Sequence, residues 1–161
     1  MDVLLKGFGR LDLKALNEYY EGFMMLNGEM IQMDLNFENK TIDASKINSV
    51  EKIFDTIATF DEKNRMYISQ NCNSKTENNI GKQIKNYIEK TAITPINSKE
   101  VFLEVDENIA GKLQLKRIGF FLNDSDLEMS FDYAIGHDLK GCFVVVHTDK
   151  DGSLFEIELE C

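Results

Sequence analysis

The sequence predicts an α+β fold: a mostly antiparallel, twisted sheet, made of an N-terminal meander and C-terminal strands, with three to four helices packed on one face. Strand-like patterns fill roughly the first forty and the last fifty of the 161 residues, and helical periodicities fill the middle. Strands, then helices, then strands is the order typical of α+β proteins. Without repeats or long linkers, residues 1–161 are expected to form a single globular domain.

The N-terminal strands contain a strong hairpin signal. Asn27 and Gly28 separate the aromatic-rich run 19–26 from the partly alternating run 30–37. Asn-Gly favours a type I′ turn because both residues tolerate positive φ. The alternating run 8–13 is expected to complete the meander.

Three to four helices follow in the middle of the chain. Apolar residues at helical spacing predict the first, with Asp43 or Ser45 as its cap. Pro95 should end the third, because it excludes the α conformation at the preceding residue. The four predicted helices cover 47–57, a segment from about Asp61 to a break at 71–74, 80–88 up to Pro95, and a short segment within 97–105.

The C-terminal strands alternate more regularly. A run at 113–122 and a turn at 123–126 precede an alternating run from Leu127. The run 142–146 is apolar on both faces, which predicts a central strand. After a hairpin turn at 149–152, the last strand should direct its apolar residues inward and its acids to water. The inward set is Phe155, Ile157 and Leu159, and the outward set is Glu156, Glu158 and Glu160.

Charge is the most informative bulk property. The net charge is −10, and the segment from Asp124 to Cys161 holds ten acids and two lysines, a net of −8. Negative potential repels phosphate backbones, so nucleic-acid binding is not expected. The same field would accelerate the approach of a basic protein. The alternative is that the charge only maintains solubility.

The start of the chain, its hydrophobic runs and its cysteines all indicate the same cellular compartment. The start of the chain does not read as a signal peptide, and no run is long and apolar enough to span a membrane, so a cytoplasmic protein without membrane contact is expected. Three scattered cysteines fit reduced thiols. Cys142 and Cys161 should lie on neighbouring strands but stay reduced, and Cys72 lies in an Asn/Ser-rich break where it could be exposed.

Catalytic and metal motifs are absent from the sequence. His137 and His147 accompany no nucleophile motif, and no cysteine or histidine spacing suits a metal. Asp149-x-Asp151-Gly152 resembles the start of a calcium loop, but a plain β-turn is the better interpretation. We therefore assign no catalytic residue, metal or cofactor.

Several segments carry a family resemblance. Gly7-Phe8-Gly9-Arg10-Leu11-Asp12 resembles the "FGxL" start of a group of uncharacterised bacterial proteins, and Tyr20-Glu21-Gly22 resembles their aromatic-x-Gly strand. Segments 133–139 and 143–146 are similar to their last hairpin. The chain thus resembles the bacterial domain-of-unknown-function family two-thousand-four, or a close sister family. The resemblance implies a small bacterial cytoplasmic protein and carries over no catalytic residue.

Three functional hypotheses follow. The first is a non-enzymatic module, such as a toxin-immunity protein, whose acidic C-terminal sheet binds a basic protein. The second is an enzyme or small-ligand protein with a pocket between sheet and helices, using His137, Asp138 and His147. The third is a subunit that self-associates through a strand edge. Contacts expected for the first are Asp124, Asp126, Asp132, Asp138, Glu156 and Glu158.

Overall fold

The computed structural model describes residues 1–74, 79–92, 110–135 and 141–161. These ranges hold eight strands, two α-helices and a short 3₁₀ helix at Ala110–Lys112. The helices are α1 (Ala44–Asn73) and α2 (Asn79–Ala92). The strands are β1 (Asp2–Leu5), β2 (Gly9–Asp12), β3 (Tyr19–Leu26), β4 (Glu29–Phe37), β5 (Leu113–Leu122), β6 (Leu127–Ile135), β7 (Phe143–Asp149) and β8 (Leu154–Glu160).

The main sheet has six strands in the order β3-β4-β5-β6-β7-β8. Every neighbouring pair is antiparallel except β4–β5, which is parallel. The predicted α+β class and mostly antiparallel sheet are confirmed. The N-terminal meander is wrong in one respect, because β1 and β2 form a separate two-stranded sheet. The turn of that small sheet lies against β3, so closely that a Cβ at Gly7 would be 2.9 Å from the Phe23 carbonyl oxygen.

Two of the predicted turns are confirmed by their backbone angles. Asn27 and Gly28 have φ values of 52° and 81°, and Leu26 pairs directly with Glu29, as a type I′ hairpin requires. Gly152 has a φ of 80°. In the same turn one carboxylate oxygen of Asp149 accepts hydrogen bonds at 2.9 Å from the amides of Asp151 and Ser153. That oxygen serves the turn itself, in agreement with the β-turn interpretation.

The number of helices differs from the prediction. The first two predicted helices are one continuous helix, α1, which Asp43 caps by accepting a 2.7 Å hydrogen bond from the Ser45 amide. The buried face of α1 passes through Asp61 and Asn64, so the apolar periodicity is interrupted while the helix continues. The third predicted helix corresponds to α2, and the predicted helix within 97–105 lies outside the described residues. Neither described helix has the combined length and hydrophobicity that a membrane span requires.

The core lies between the helices and one face of the main sheet. The Phe54 and Phe120 rings meet edge to face at 5.6 Å, and the Phe60 and Phe131 rings stack at 6.1 Å. Residue Ile84 of α2 belongs to the same core. Side chains alternate between the two faces of the sheet along each strand, so the residues next to those of the core point away from the helices. We call that side the open face; on it lie Asp34, Arg117, Asp132, His147 and Glu158.

The C-terminal strands mostly follow the prediction. Val144, Val145 and Val146 are all buried, as expected, but β7 is next to the edge of the sheet and not central. Ile157 is buried, whereas the predicted inward position of Phe155 is wrong, since this residue is 56% exposed. The pairing of β7 with β8 shifts between His147 and Thr148, which takes Phe155 out of the alternation.

Candidate functional site: the open face of the sheet

Cross-strand pairing brings distant polar residues into rows on the open face. Arg117 lies opposite Gln32 on one side and Asp132 on the other. The pairing continues from Asp132 to Val145 and then to Glu158. Side chains from five neighbouring strands therefore form one ladder, which only the folded sheet assembles.

Arg117 is the centre of the ladder. Its Nε donates to the Asp132 carboxylate at 2.7 Å, and its guanidinium lies 3.7 Å from the Asp34 carboxylate. Asp132 is 3% exposed and Asp34 is 7% exposed, whereas the arginine side chain is 47% exposed. The arginine thus covers two buried acids. Burial raises the pKa of Asp132, and the attraction of Arg117 limits that rise.

Tyr19 extends the ladder to the edge strand β3. Its hydroxyl donates a 2.8 Å hydrogen bond to Asp34, which also accepts one from the Gln32 amide at 3.1 Å. The hydrogen bond to Asp34, together with burial and the negative charge of that carboxylate, raises the pKa of Tyr19 to about 12. Asp34 is therefore held by three side chains, one from each of β3, β4 and β5.

The other end of the open face is acidic. The His147 imidazole lies 2.6 Å from the Glu158 carboxylate. Burial raises the pKa of Glu160, and the nearby charges of Glu158 and Asp132 raise it further. Glu158, Glu160 and the Asp132 carboxylate therefore place several negative charges at this end of the open face, and the neighbouring groove is lined by the cations Lys116 and Arg117.

Large apolar side chains border the charges. Five of them on β3, β4 and β5 are between 44% and 66% exposed: Tyr19, Phe23, Met25, Met30 and Phe121. A groove of about 420 Å³ runs between this border and the ladder. Its walls include Phe23, Met30 and Phe143, and its floor includes Arg117 and Asp132. Exposed aromatic and methionine side chains beside charged groups are typical of protein-binding surfaces.

The structure separates the predicted contact residues. Glu156 and Glu158 lie on the open face, and Asp132 lies there too, but it is buried beneath Arg117 and cannot contact a partner directly. Asp124 and Asp126 are exposed in the turn between β5 and β6. Asp138 lies outside the described residues.

The predicted ligand pocket is not assembled around His147. This histidine projects from the open face, on the side of the sheet opposite to the helices, and pairs with Glu158. His137 and Asp138 lie outside the described residues. Among the residues that the structure describes, no group of His, Cys, Asp and Glu side chains is arranged to bind a metal.

The sequence suggested Tyr19, Tyr20 and Phe23 as edge packing or as a partner-binding patch, but sequence reasoning missed Asp34, Arg117 and the hydrogen bond from Tyr19 to Asp34. Asp34 and Arg117 are polar residues on predicted strands, but an isolated arginine or aspartate gives no sign of its partner. The signal would have been the pairing of β4 with β5, which places Arg117 between two acids. Nothing in the local sequence specifies that parallel pairing.

The cysteines also differ from expectation. Cys142 and Cys161 form a disulfide with a Cα–Cα distance of 4.1 Å, so the prediction of reduced thiols is wrong for this pair in the structure. The two residues continue the β7–β8 register by one position, which brings them face to face. Cys72 is free, as predicted, but buried and not exposed. Burial raises the pKa of its thiol, which makes it a weak nucleophile.

Comparisons with known proteins found no match among family models, curated proteins or solved structures. The resemblance to family two-thousand-four therefore stays a prediction.

Proposed function

We propose that this protein is a non-enzymatic binding module that holds a basic protein partner on the open face, and that a toxin-immunity protein is the most concrete form of that role. One observation carries the proposal: neither described helix packs on the open face, and this face exposes large apolar side chains next to acids. Apolar anchors surrounded by charge are the usual source of affinity in protein complexes.

Electrostatics supports a basic partner. Glu21, Glu128, Glu156 and Glu160 are exposed on this face, while the positive charge of Arg117 is already shared by two carboxylates. The unbalanced charge would attract a positively charged surface and increase the association rate at low salt.

The apolar border supplies the anchors. Phe23 and Met30 line the groove, and Phe121 lies beyond the ladder on β5. Burying exposed aromatic and methionine side chains contributes roughly 25 cal/mol for each Å² of apolar surface. The charges would then set the association rate and the orientation of the partner. The apolar anchors would set how long the partner stays bound.

A cytoplasmic location belongs to this proposal and has its own test. Disulfides are typical of oxidising compartments, so the state of the Cys142–Cys161 pair in cells is informative. Cells are quenched in acid, alkylated under denaturing conditions and analysed by mass spectrometry. A cytoplasmic protein should be modified at all three cysteines. Protection of Cys142 and Cys161 would overturn the cytoplasmic location.

The binding proposal is tested with two variants of equal net charge. The first carries Glu128→Lys, Glu156→Lys and Glu160→Lys on the open face; the control carries Glu51→Lys, Asp55→Lys and Glu62→Lys on the exposed side of α1. Tagged wild type and both variants are used to capture proteins from the native lysate at low and high salt.

We expect one stoichiometric basic partner that binds wild type and the α1 control, binds less at high salt, and is lost by the open-face variant. Phe23→Ala, tested with the purified partner, should mainly increase the dissociation rate. Equal capture by all three proteins would exclude the open face as the binding site.

A further inference from the structure

The disulfide between Cys142 and Cys161 lies at one end of the β7–β8 hairpin. The two cysteines are 19 residues apart and lie one position beyond the last paired residues, Phe143 and Glu160. The hairpin ladder already holds the two strands together, and neither cysteine belongs to the hydrophobic core. The disulfide therefore acts locally, because it fixes the end of β8 to the start of β7.

This disulfide is accessible to thiols in solution, unlike the third cysteine. Cys161 is exposed and Cys142 is half-buried, whereas Cys72 is only 3% exposed and belongs to the core. Thiol–disulfide exchange requires that a thiolate reach a sulfur atom, so exposed disulfides are the ones that small thiols reduce most readily. The pair can thus exchange with a small thiol while Cys72 stays protected.

Like charges act on the end of β8 that the disulfide holds. Burial raises the pKa of Glu160, and the negative charges of Glu158 and Asp132 raise it further. Arg117 attracts Glu160, but its charge is shared with Asp132 and Asp34. Because the repulsion is relieved when the end of the strand moves away, it favours the reduced form over the disulfide.

The disulfide is connected to both sides of the sheet through Cys142. On the helix side, the Cys142 amide donates a 2.7 Å hydrogen bond to the Tyr87 hydroxyl oxygen of α2. On the open face, the next residue, Phe143, forms part of the groove wall. A change at the disulfide therefore affects the contact with α2 and the shape of the groove together.

We propose that Cys142 and Cys161 form a reversible redox clamp, closed as a disulfide and released as two thiols, which exchanges with small thiols of the glutathione type. The first small thiolate attacks Cys161 and forms a mixed disulfide, and the Cys142 sulfur leaves and takes a proton from water. A second small thiolate attacks the mixed disulfide, which releases Cys161 and the oxidised small disulfide. Two electrons pass to the protein, and the reverse exchange closes the clamp.

Release of the clamp frees the end of β8. Without the covalent bond, the like charges move residues 158–161 away from β7, and the pairing of Phe143 with Glu160 is lost. Since Phe143 forms part of the groove wall, the redox state would also control how well the groove fits a partner. That last consequence rests on the proposed function, whereas the clamp itself does not.

The first experiment equilibrates the full protein with mixtures of reduced and oxidised glutathione, then quenches in acid and counts alkylated cysteines by mass spectrometry. We expect the pair to pass from disulfide to dithiol within these mixtures. Glu160→Gln removes the repulsion and should shift the midpoint about threefold towards the disulfide. Glu128→Gln, at the other end of β7, should leave it unchanged. A pair that stays oxidised in excess reduced glutathione, or a midpoint that Glu160→Gln does not move, would overturn the proposal.

Hydrogen exchange then locates the movement. In the reduced protein, amides 157–160 should exchange at least about tenfold faster than in the oxidised protein, whereas β3 and β4 should exchange at the same rate. The variant Cys142→Ser with Cys161→Ser should match the reduced protein under all conditions. Unchanged exchange at 157–160, or equal acceleration throughout the sheet, would contradict a local clamp. Both experiments use the protein alone, so their failure is distinct from failure to capture a partner.

Discussion

Two arginines each hold a cluster of polar groups in this protein, and the surroundings of the two clusters differ. Arg65 lies between α1 and the sheet, with its side chain 26% exposed, and contacts one carboxylate and two backbone carbonyls. Arg117 lies on the open face, with its side chain 47% exposed, and contacts two carboxylates. The Arg65 cluster therefore has no net charge, and it joins α1 to the 3₁₀ helix and β5. The Arg117 cluster contains two carboxylates and one guanidinium, so it carries one excess negative charge.

The difference indicates distinct roles. In a charge-balanced cluster in the interior, every group needs its partner. A buried group that loses its partner keeps its full desolvation cost, which destabilises the fold. An unbalanced cluster at the surface can persist because solvent screens it, and its excess charge is available to a partner. Four predictions follow from this comparison, in decreasing order of expected effect.

The largest effect is expected for Asp61→Leu. This change leaves Arg65 without its carboxylate and the Tyr133 hydroxyl without its acceptor, both in the interior. We expect the free energy of unfolding to fall by about 3–5 kcal/mol, measured by urea denaturation followed by circular dichroism. Tyr133→Phe, which removes only one hydrogen bond, should cost about 1 kcal/mol. Similar losses for the two variants would contradict the balanced-cluster interpretation.

Arg117→Met should have an intermediate and pH-dependent effect. At neutral pH it exposes Asp132 and Asp34 to each other's charge, and we expect a loss of about 2–3 kcal/mol. The folded pKa of Asp132 already lies above its unfolded value, and without Arg117 it should rise further. Folding then favours the protonated acid, so the contribution of Asp132 is largest below its unfolded pKa and declines as pH rises through the folded pKa.

The deficit of Arg117→Met should therefore shrink as the pH is lowered from 7 towards about 4. Parallel urea titrations of the variant and wild type across this range provide the measurement. A deficit that grows on acidification would be inconsistent with a raised Asp132 pKa.

Thr148→Val should increase stability. Thr148 is fully buried on the helix side of β7, and within the described ranges its hydroxyl has no hydrogen-bond partner. Valine has nearly the same shape without the polar atom, so we expect a gain of about 1 kcal/mol in unfolding free energy. Thr56→Val is the control: its hydroxyl contacts backbone carbonyls on α1, and stability should not increase. A loss for Thr148→Val would reveal an unrecognised partner.

The smallest effect concerns the titration of Tyr19. Its pKa of about 12 means that at about pH 11 it should stay protonated, whereas an ordinary tyrosine is mostly ionised. Its contribution to stability is complete below about pH 10 and is lost as pH rises through the folded pKa. Nuclear magnetic resonance of ζ-carbon-labelled tyrosine, assigned with Tyr19→Phe, measures this. Asp34→Asn should lower the pKa; an unchanged value would show that the hydrogen bond to Asp34 is not its cause.

Local features of the fold were predictable, because turn chemistry is local. Asn27-Gly28, the turn at 123–126 and the Gly152 turn each identify a hairpin whose strands follow directly. The continuity of α1 was not predictable, because Asp61 and Asn64 occupy buried positions that periodicity reads as exposed. The separate β1–β2 sheet also depends on tertiary contacts, such as that of Gly7 with β3.

The open face was only partly predictable. Alternation correctly placed Glu156 and Glu158 outside the core. It could not show that Asp132 is buried, because that depends on Arg117 lying opposite it on β5. A pocket between sheet and helices was one of the predictions, and the structure has a cavity there, but its position beside β4 and β5 was not predictable, since it depends on where their parallel pairing stops.

That parallel pairing also determines how the chain can fold. The β3–β4 hairpin and the β5–β8 meander each consist of strands adjacent in sequence, so each can form quickly. The register from Gln32–Arg117 to Phe37–Leu122 joins them across the whole segment that contains both α1 and α2. Closing so long a loop costs entropy before any contact compensates for it. Formation of the β4–β5 ladder is thus expected to limit the folding rate, with two preformed halves of the sheet meeting at the transition state.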